Sequence, residues 1–427
     1  MLGKEQQNQG LRPAQLILLG FASVIIIGAI LLTMPFCVRS GGFNNLVDAL
    51  FTATSAVCVT GLVTVDTGTF YNSFGHVVII ILIQIGGLGI ITATTFYAMV
   101  LGKRIGLRER ILIQQALNRE KLGGVVRLVR SILITTAIIE GTGAIILFVA
   151  FLKYFSVPKA LWYGIFHSIS AFCNAGFDLL GQDFFPYCSL ITLQGNELIL
   201  TTVAFLLVLG GIGFTVILEV YRQRKFKSLS LHSKIVLVVT GMLMVLGMIF
   251  FLFSESGSTF RSMGIIDRIF NSFFLSVTPR TAGYTAVDLG KAVPATWLVL
   301  MLLMFVGASP GGTGGGIKTT TFSVLLLAIW ARLQGREDVE LFDRRIDKDV
   351  VYRSLVITTL ALAAFFGCSV LLSLVDSHDV VKLMFDAVSA FGTVGLTTGI
   401  TPELTTAAKI ILIFLMFFGR LGPLTMA

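Results

Sequence analysis

Apolar positions in this chain come in long uninterrupted blocks. They do not follow the alternating pattern of half-buried strands or the one-in-four pattern of half-buried helices. Runs without Asp, Glu, Lys or Arg cover residues 13–38, 77–102, 198–218, 235–253 and 355–375, and a sixth, 131–151, is broken only by Glu140. A seventh apolar stretch, 297–330, is interrupted by a cluster of glycines and Lys318. A hydrocarbon core about 30 Å thick needs roughly 20 apolar residues per helix, so these runs predict membrane spans. The first run is too long for the apolar core of a signal peptide. The sequence after it, "TMPFCVRSG", has no small-residue cleavage site, so the run is expected to stay as a span.

One short polar-to-apolar phrase recurs four times between spans: "SAVCVTGL" at 55–62, "SAFCNAGF" at 170–177, "VTPRTAGY" at 277–284 and "SAFGTVGL" at 389–396. Aligned on Gly61, Gly176, Gly283 and Gly395, the copies lie 115, 107 and 112 residues apart. Ten residues before each Gly stands a Phe (Phe51, Phe166, Phe273, Phe385), and a large apolar residue follows each Gly. A second echo comes later in each unit: "GGLG" at 86–89, "GGIG" at 210–213, "GGTG" at 311–314 and "GRLG" at 419–422. Internal periodicity dictates architecture. It predicts an all-α integral membrane protein of four helix–pore-loop–helix repeats, 1–102, 103–221, 222–331 and 332–427, giving eight spans around one central pore.

The ten residues before each Gly are too short to cross the membrane. They predict a half-helix that enters and stops, which is tolerated only where protein or water covers the exposed backbone. Four such loops meeting on one axis would cover one another. Gly would let carbonyls turn inward, a ring of carbonyls can replace an ion's hydration shell, and helix C-termini aimed at the centre favour a cation. The candidate filter is therefore Val59, Thr60 and Gly61; Asn174, Ala175 and Gly176; Thr281, Ala282 and Gly283; and Thr393, Val394 and Gly395. The competing reading of the glycines is close helix packing, and "GGLG" by itself favours it.

The third unit is the odd one. Six Gly and a Pro between 307 and 316 cannot remain a regular helix. The expectation is a broken helix below the filter acting as a movable gate, comprising Gly311, Gly312, Thr313, Gly314, Gly315, Gly316 and the intramembrane cation Lys318. Snorkelling toward the cytoplasm is the bland alternative for Lys318. A phosphate-binding P-loop is excluded, because that motif needs Gly directly before the Lys and Ile317 stands there. Arg420 replaces the second Gly of its echo. Facing the pore it would be an electrostatic barrier, and pairing with a buried acid is the other option. Glu140, alone in its span, is expected to be a structural hydrogen-bonded residue.

Charge settles orientation. Of the 32 Lys and Arg, twenty-one lie in 103–130, 222–234, 332–353 and the N-terminal tail. The positive-inside rule puts these segments and the N-terminus in the cytoplasm. Topology accounts for the net charge of +9 without a nucleic-acid partner. The opposite side carries twelve acidic residues against nine basic ones, which would concentrate cations there. The five Cys show no metal spacing and read as small buried residues. With four His and neither H-E-x-x-H nor G-x-S-x-G, no catalytic constellation is present. A scaffold without transport would tolerate substitution of Gly61 and Gly395, and a filter would not.

With the four phrases, "GGTGGGIKTTT" and "GRLGPLT" in view, the chain resembles the Trk/Ktr/HKT superfamily of potassium transporters over nearly its whole length. It is most similar to the Ktr-type membrane subunit, its N-terminal tail lacking the two extra spans of Trk-type relatives. The resemblance implies filter glycines at Gly61, Gly176, Gly283 and Gly395, a gating loop at about 307–320, and a pore-obstructing Arg at Arg420. It also implies potassium as the substrate, sodium as an activator, and no covalent cofactor. Gly61, where sodium-transporting plant relatives carry Ser, favours potassium. A sodium-selective or cation-coupled symporter of the same fold is the alternative. The implied assembly is a homodimer in the lipid of the plasma (inner) membrane, seated on a cytosolic ring of KtrA-like nucleotide-binding regulatory subunits. The sequence ends at Ala427, five residues after Gly422, where the relatives' tail helps those contacts.

Overall fold

The computed structural model describes residues 13–89, 92, 95, 125–336, 338–342 and 344–422. Most of the basic segment 103–130, together with Lys4, Arg12 and the end of "GRLGPLT", lies outside the described residues.

The first repeat comprises α1 (Pro13–Thr33), α2 (Leu46–Cys58) and α3 (Ser73–Leu88). The second comprises α4 (Val125–Phe151), α5 (Val157–Phe172), α6 (Glu197–Gly211) and α7 (Phe214–Gln223). In the third stand α8 (Leu231–Ser254), α9 (Ile265–Val277), α10 (Pro294–Phe305) and α11 (Thr319–Leu333). The fourth holds α12 (Lys348–Val375), α13 (Val380–Gly392) and α14 (Thr406–Leu421).

Among the described residues, four helices are long and apolar enough to cross a membrane unbroken, and they are the first helix of each repeat: α1, α4, α8 and α12. Their outward faces carry bare apolar side chains such as Ile27, Ile138, Phe253 and Leu374, as a surface in lipid should. The half-helices α2, α5, α9 and α13 are 13 to 16 residues long. At 1.5 Å per residue that is about 20–24 Å, too short to span. Local chemistry starts them. Asn45 accepts from the Val47 N–H, Asp379 accepts from Val381 and Lys382, and a Pro sits in the first turn of α5.

The repeats close into a ring. The helix that follows each half-helix packs on the half-helix of the next repeat: α3 on α5, α6 on α9, α10 on α13, and α14 back on α2. Within a repeat, small residues allow the same closeness. A Cβ at Gly86, Gly210 or Gly419 would lie 2.0, 1.9 or 1.8 Å from the carbonyl of Val57, Phe172 or Phe391 in that repeat's own half-helix. The second echo is thus a packing contact in three repeats, as the packing reading holds. In the third repeat the match fails. Gly311 meets only Thr215 Oγ1, at 4.0 Å, because α10 has already ended at Phe305.

Two features depart from the sequence expectation. The second repeat is broken as well as the third: α6 and α7 meet at 97°. Gly213 turns the chain there with φ +95°, and Gly89 and Gly422 adopt the same conformation at the ends of α3 and α14. An antiparallel hairpin, β1 (Val339–Leu341) with β2 (Arg344–Ile346), lies in the linker before α12, pairing Val339 with Ile346. The all-α reading overlooked it because three-residue strands leave almost no periodic signal.

Candidate pore and ion pathway

Each half-helix stops three to six residues before its Gly, and the reason is backbone conformation. The residue two before each Gly is left-handed: Val59 (φ +58°), Asn174 (+59°), Thr281 (+66°) and Thr393 (+49°). The Gly itself is left-handed too: Gly61 (+90°), Gly176 (+70°), Gly283 (+78°) and Gly395 (+94°). The residue between them is not. In a strand, successive carbonyls point to opposite sides; alternating the sign of φ turns them to one side. A left-handed β-branched residue costs energy, so three of these positions, Val59, Thr281 and Thr393, hold strain that the surroundings must offset.

The four glycines form a closed circuit. A Cβ on Gly61 would lie 2.6 Å from the Ala175 carbonyl, and one on Gly176 would lie 2.9 Å from that of Ala282. One on Gly283 would lie 2.7 Å from the Val394 carbonyl, and one on Gly395 would lie 2.2 Å from that of Thr60. All twelve candidate filter residues therefore come together, one carbonyl of each repeat against the glycine of its neighbour. Eleven of the twelve are buried, and Gly283 is half-buried.

The phrase's leading Ser has a job that the sequence reading missed. Ser55 Oγ and Ser389 Oγ accept from the N–H of Gly61 and Gly395, each at 3.0 Å. Ser170 Oγ accepts from Phe177 N at 3.0 Å and donates to Phe177 O at 2.8 Å. In the third repeat Thr278 Oγ1 does the equivalent, donating to Tyr284 O. These hydroxyls tie each strained segment to its own half-helix. The recurrence of Ser in three of four phrases was the available signal.

The loop between α10 and α11 lies directly beneath the ring. It is pinned to the break in α6–α7: Ser309 N and Thr313 N donate to Gly211 O (2.9 Å) and Gly210 O (3.1 Å), and Phe214 N donates to Gly311 O (3.0 Å). Gly312 fits against Gly211 O, where a Cβ would lie 2.8 Å away. Its top touches the left-handed filter residues. Thr313 Oγ1 donates to Asn174 Oδ1 (3.0 Å) and Gly315 N to Thr393 Oγ1 (2.9 Å), while a Cβ on Gly314 would fall 1.8 Å from Thr281 Oγ1. Gly316 N donates to Gly419 O at 3.3 Å. Every candidate loop glycine from 311 to 316 is thus part of one plug.

Arg420 projects into this space. Its guanidinium donates to the carbonyls of Thr313 in the loop and Gly86 in the first repeat. Among the described residues it makes no ion pair with a carboxylate, and both groups it donates to are carbonyls. Lys318 does not snorkel away. Its Nζ donates to Gly314 O at 2.7 Å, and Arg420 is a like-charged neighbour. Glu140 is hydrogen-bonded, as expected, and its partner is now named: Gln84 Nε2 donates to Oε2 at 3.1 Å. Arg280, counted with the outer basic residues by its place in sequence, is buried beside the third filter segment. The five Cys are free and buried.

A family model described as "Cation transport protein" (TrkH) matches residues 15–427. The chain belongs to the TrkH family. The family is one of transport proteins, not of enzymes, and this member is a multi-pass membrane protein. It is 41% identical to the potassium/sodium uptake protein NtpJ of Enterococcus hirae, covering 99% of this chain and 93% of that protein. It is 42% identical to the Ktr system potassium uptake protein B of Bacillus subtilis, covering 97% and 92%. With the protein of the same name from Vibrio alginolyticus it shares 38% identity over 100% and 92%. The fold matches the crystal structure of the potassium transporter TrkH from Vibrio parahaemolyticus with a TM-score of 0.77 at 16% identity, over 100% of this chain and 86% of that one.

Proposed function

We propose that this TrkH-family chain is the potassium-translocating subunit of a Ktr-type uptake system. The observation that carries this is the circuit of Gly61, Gly176, Gly283 and Gly395, each against the next repeat's carbonyl. The carbonyls of residues 59–61, 174–176, 281–283 and 393–395 take the place of water around a dehydrated potassium ion. The loop of 311–316, with Lys318 and Arg420, is the gate below. The B subunits of Ktr systems among the relatives support potassium as substrate. That naming also supports a cytosolic nucleotide-binding regulatory ring, and by the same analogy a homodimer in the inner membrane with a cytoplasmic N-terminus. Sodium acts as an activator on this reading. A second reading, in which sodium is itself carried, draws on the potassium/sodium uptake relative.

The test is rubidium uptake at low external potassium by cells lacking their own uptake systems, with the regulatory subunit co-expressed. Wild-type uptake that Gly61→Ser degrades is expected, and sodium should stimulate it. Sodium accumulation rivalling rubidium would favour the second reading. Deleting 312–316 should raise flux; a folded but silent variant would sink the gate.

A further inference from the structure

Counting back from each filter glycine, the ninth residue stands on the half-helix facing the chain that leaves the filter. These residues are Thr52, His167, Phe274 and Asp386, and no two are alike. All four side chains are buried. In the fourth repeat the contact is extensive. Asp386 Oδ2 accepts from Thr401 Oγ1 at 2.6 Å and from Thr397 Oγ1 at 3.2 Å. In the second repeat the ninth residue also meets the departing chain. Leu179 N, three past Gly176, approaches His167 Nε2 at 3.5 Å. His167 Nδ1 lies 2.7 Å from Tyr163 O, so the proton sits on Nδ1 and Nε2 is free to accept. Thr52 Oγ1 instead donates back to Asp48 O within its own helix, and Phe274 has no polar atom to offer.

We propose that the ninth residue before each filter glycine is a positioning residue for the outer end of its filter segment, and that Asp386 performs this for the fourth wall. A carboxylate accepting two hydroxyl donors holds them more firmly than a neutral acceptor. It is wholly buried, and among the described residues its Oδ1 has no hydrogen-bond partner; both donors to Oδ2 come from the departing chain. The four walls are thereby held with unequal stiffness: firmly in repeat four, by one long contact in repeat two, and not by this device in repeats one and three. Ion discrimination depends on carbonyls that keep their spacing, so the stiff wall sets specificity. This rests on the filter reading above.

The experiment measures rubidium uptake KM, maximal rate and inhibition by sodium for Asp386→Ala, Asp386→Asn and the pair Thr397→Val/Thr401→Val, at matched membrane levels. Gly395→Ala is run beside them. Asp386→Ala should lose about tenfold or more in discrimination and raise KM more than it lowers maximal rate, since hydrogen bonds to a charged group are worth about 1.5–3 kcal/mol. Asp386→Asn keeps an acceptor and should recover most of the loss. The Thr pair keeps the carboxylate and should reproduce the loss, which covers the case in which Asp386→Ala does not fold. Wild-type discrimination in the Thr pair overturns the tether, and so does Asp386→Asn as poor as Asp386→Ala, which would make charge the cause. If Gly395→Ala also leaves discrimination unchanged, the filter reading itself fails.

Discussion

The guanidinium of Arg420, on the last helix, donates to the carbonyl of Thr313 at the top of the loop. The same side chain reaches Gly86 in the first repeat. One residue therefore ties the 311–316 loop to the first repeat and places a positive charge beneath the ring of glycines. Arg420→Ala should raise rubidium flux on the order of tenfold, the size of losing one charged hydrogen bond of about 1.5 kcal/mol. Uptake rates at matched expression check this. Unchanged or lower flux in folded protein would count against a barrier there.

Gly395→Ala should abolish discrimination between potassium and sodium while leaving the protein in the membrane. Its Cβ would sit 2.2 Å from Thr60 O, and φ +94° is a region that side chains avoid. Competition between rubidium and sodium reads the outcome. Wild-type competition would mean that the ring is not the selective element.

Two helix glycines should behave oppositely. Gly419→Ala forces a Cβ to within 1.8 Å of the Phe391 carbonyl, which has no room to retreat. Overpacking of this kind costs roughly 1–3 kcal/mol or more. Gly241, in α8, has nothing within 4 Å, so Gly241→Ala should be neutral or stabilising by about 0.5–1 kcal/mol. Thermal unfolding in detergent separates them, and equal shifts would mean that close packing at Gly419 is absent.

The outer loops should loosen as pH rises. His378, outside the spans, lies 2.5 Å from Asp376 Oδ1 and 3.5 Å from Glu403 Oε2. The hydrogen bond to Asp376 raises its pKa above the ordinary 6.5. A group whose folded pKa is raised contributes stability that is complete below its unfolded value and is lost as pH climbs through the folded one. Asp376, held low by the Thr405 N–H and His378 bonds against burial, weakens the latch only in acid. Hydrogen exchange in 397–405, corrected for intrinsic rate, should therefore accelerate as pH rises above about 6.5, and His378→Gln should remove the pH dependence. A flat profile in the wild type would show the latch to be insensitive to the histidine.

Much of this molecule was legible in its sequence. The apolar runs marked the spans because lipid demands a fixed length of apolar helix. The fourfold phrase marked the four half-helix ends because an internal repeat dictates a repeated architecture. The ring glycines were visible because only Gly adopts that backbone cheaply. Other features needed the fold. That Gly86, Gly210 and Gly419 face a carbonyl while Gly311 does not follows from where α10 stops. The break at Gly213 exists because the loop of the third repeat bonds to the carbonyls it frees. Whether Arg420 met an acid or a carbonyl turned on which groups converge beneath the ring. In sequence Asp386 is one more acid among twelve on the outer side; in the fold it stands nine residues behind Gly395 and holds two donors. Local sequence determined which segments cross, stop and turn, since those choices rest on short-range sterics and transfer to lipid. Only the tertiary structure decided partners, because residues hundreds apart meet by the closing of the ring.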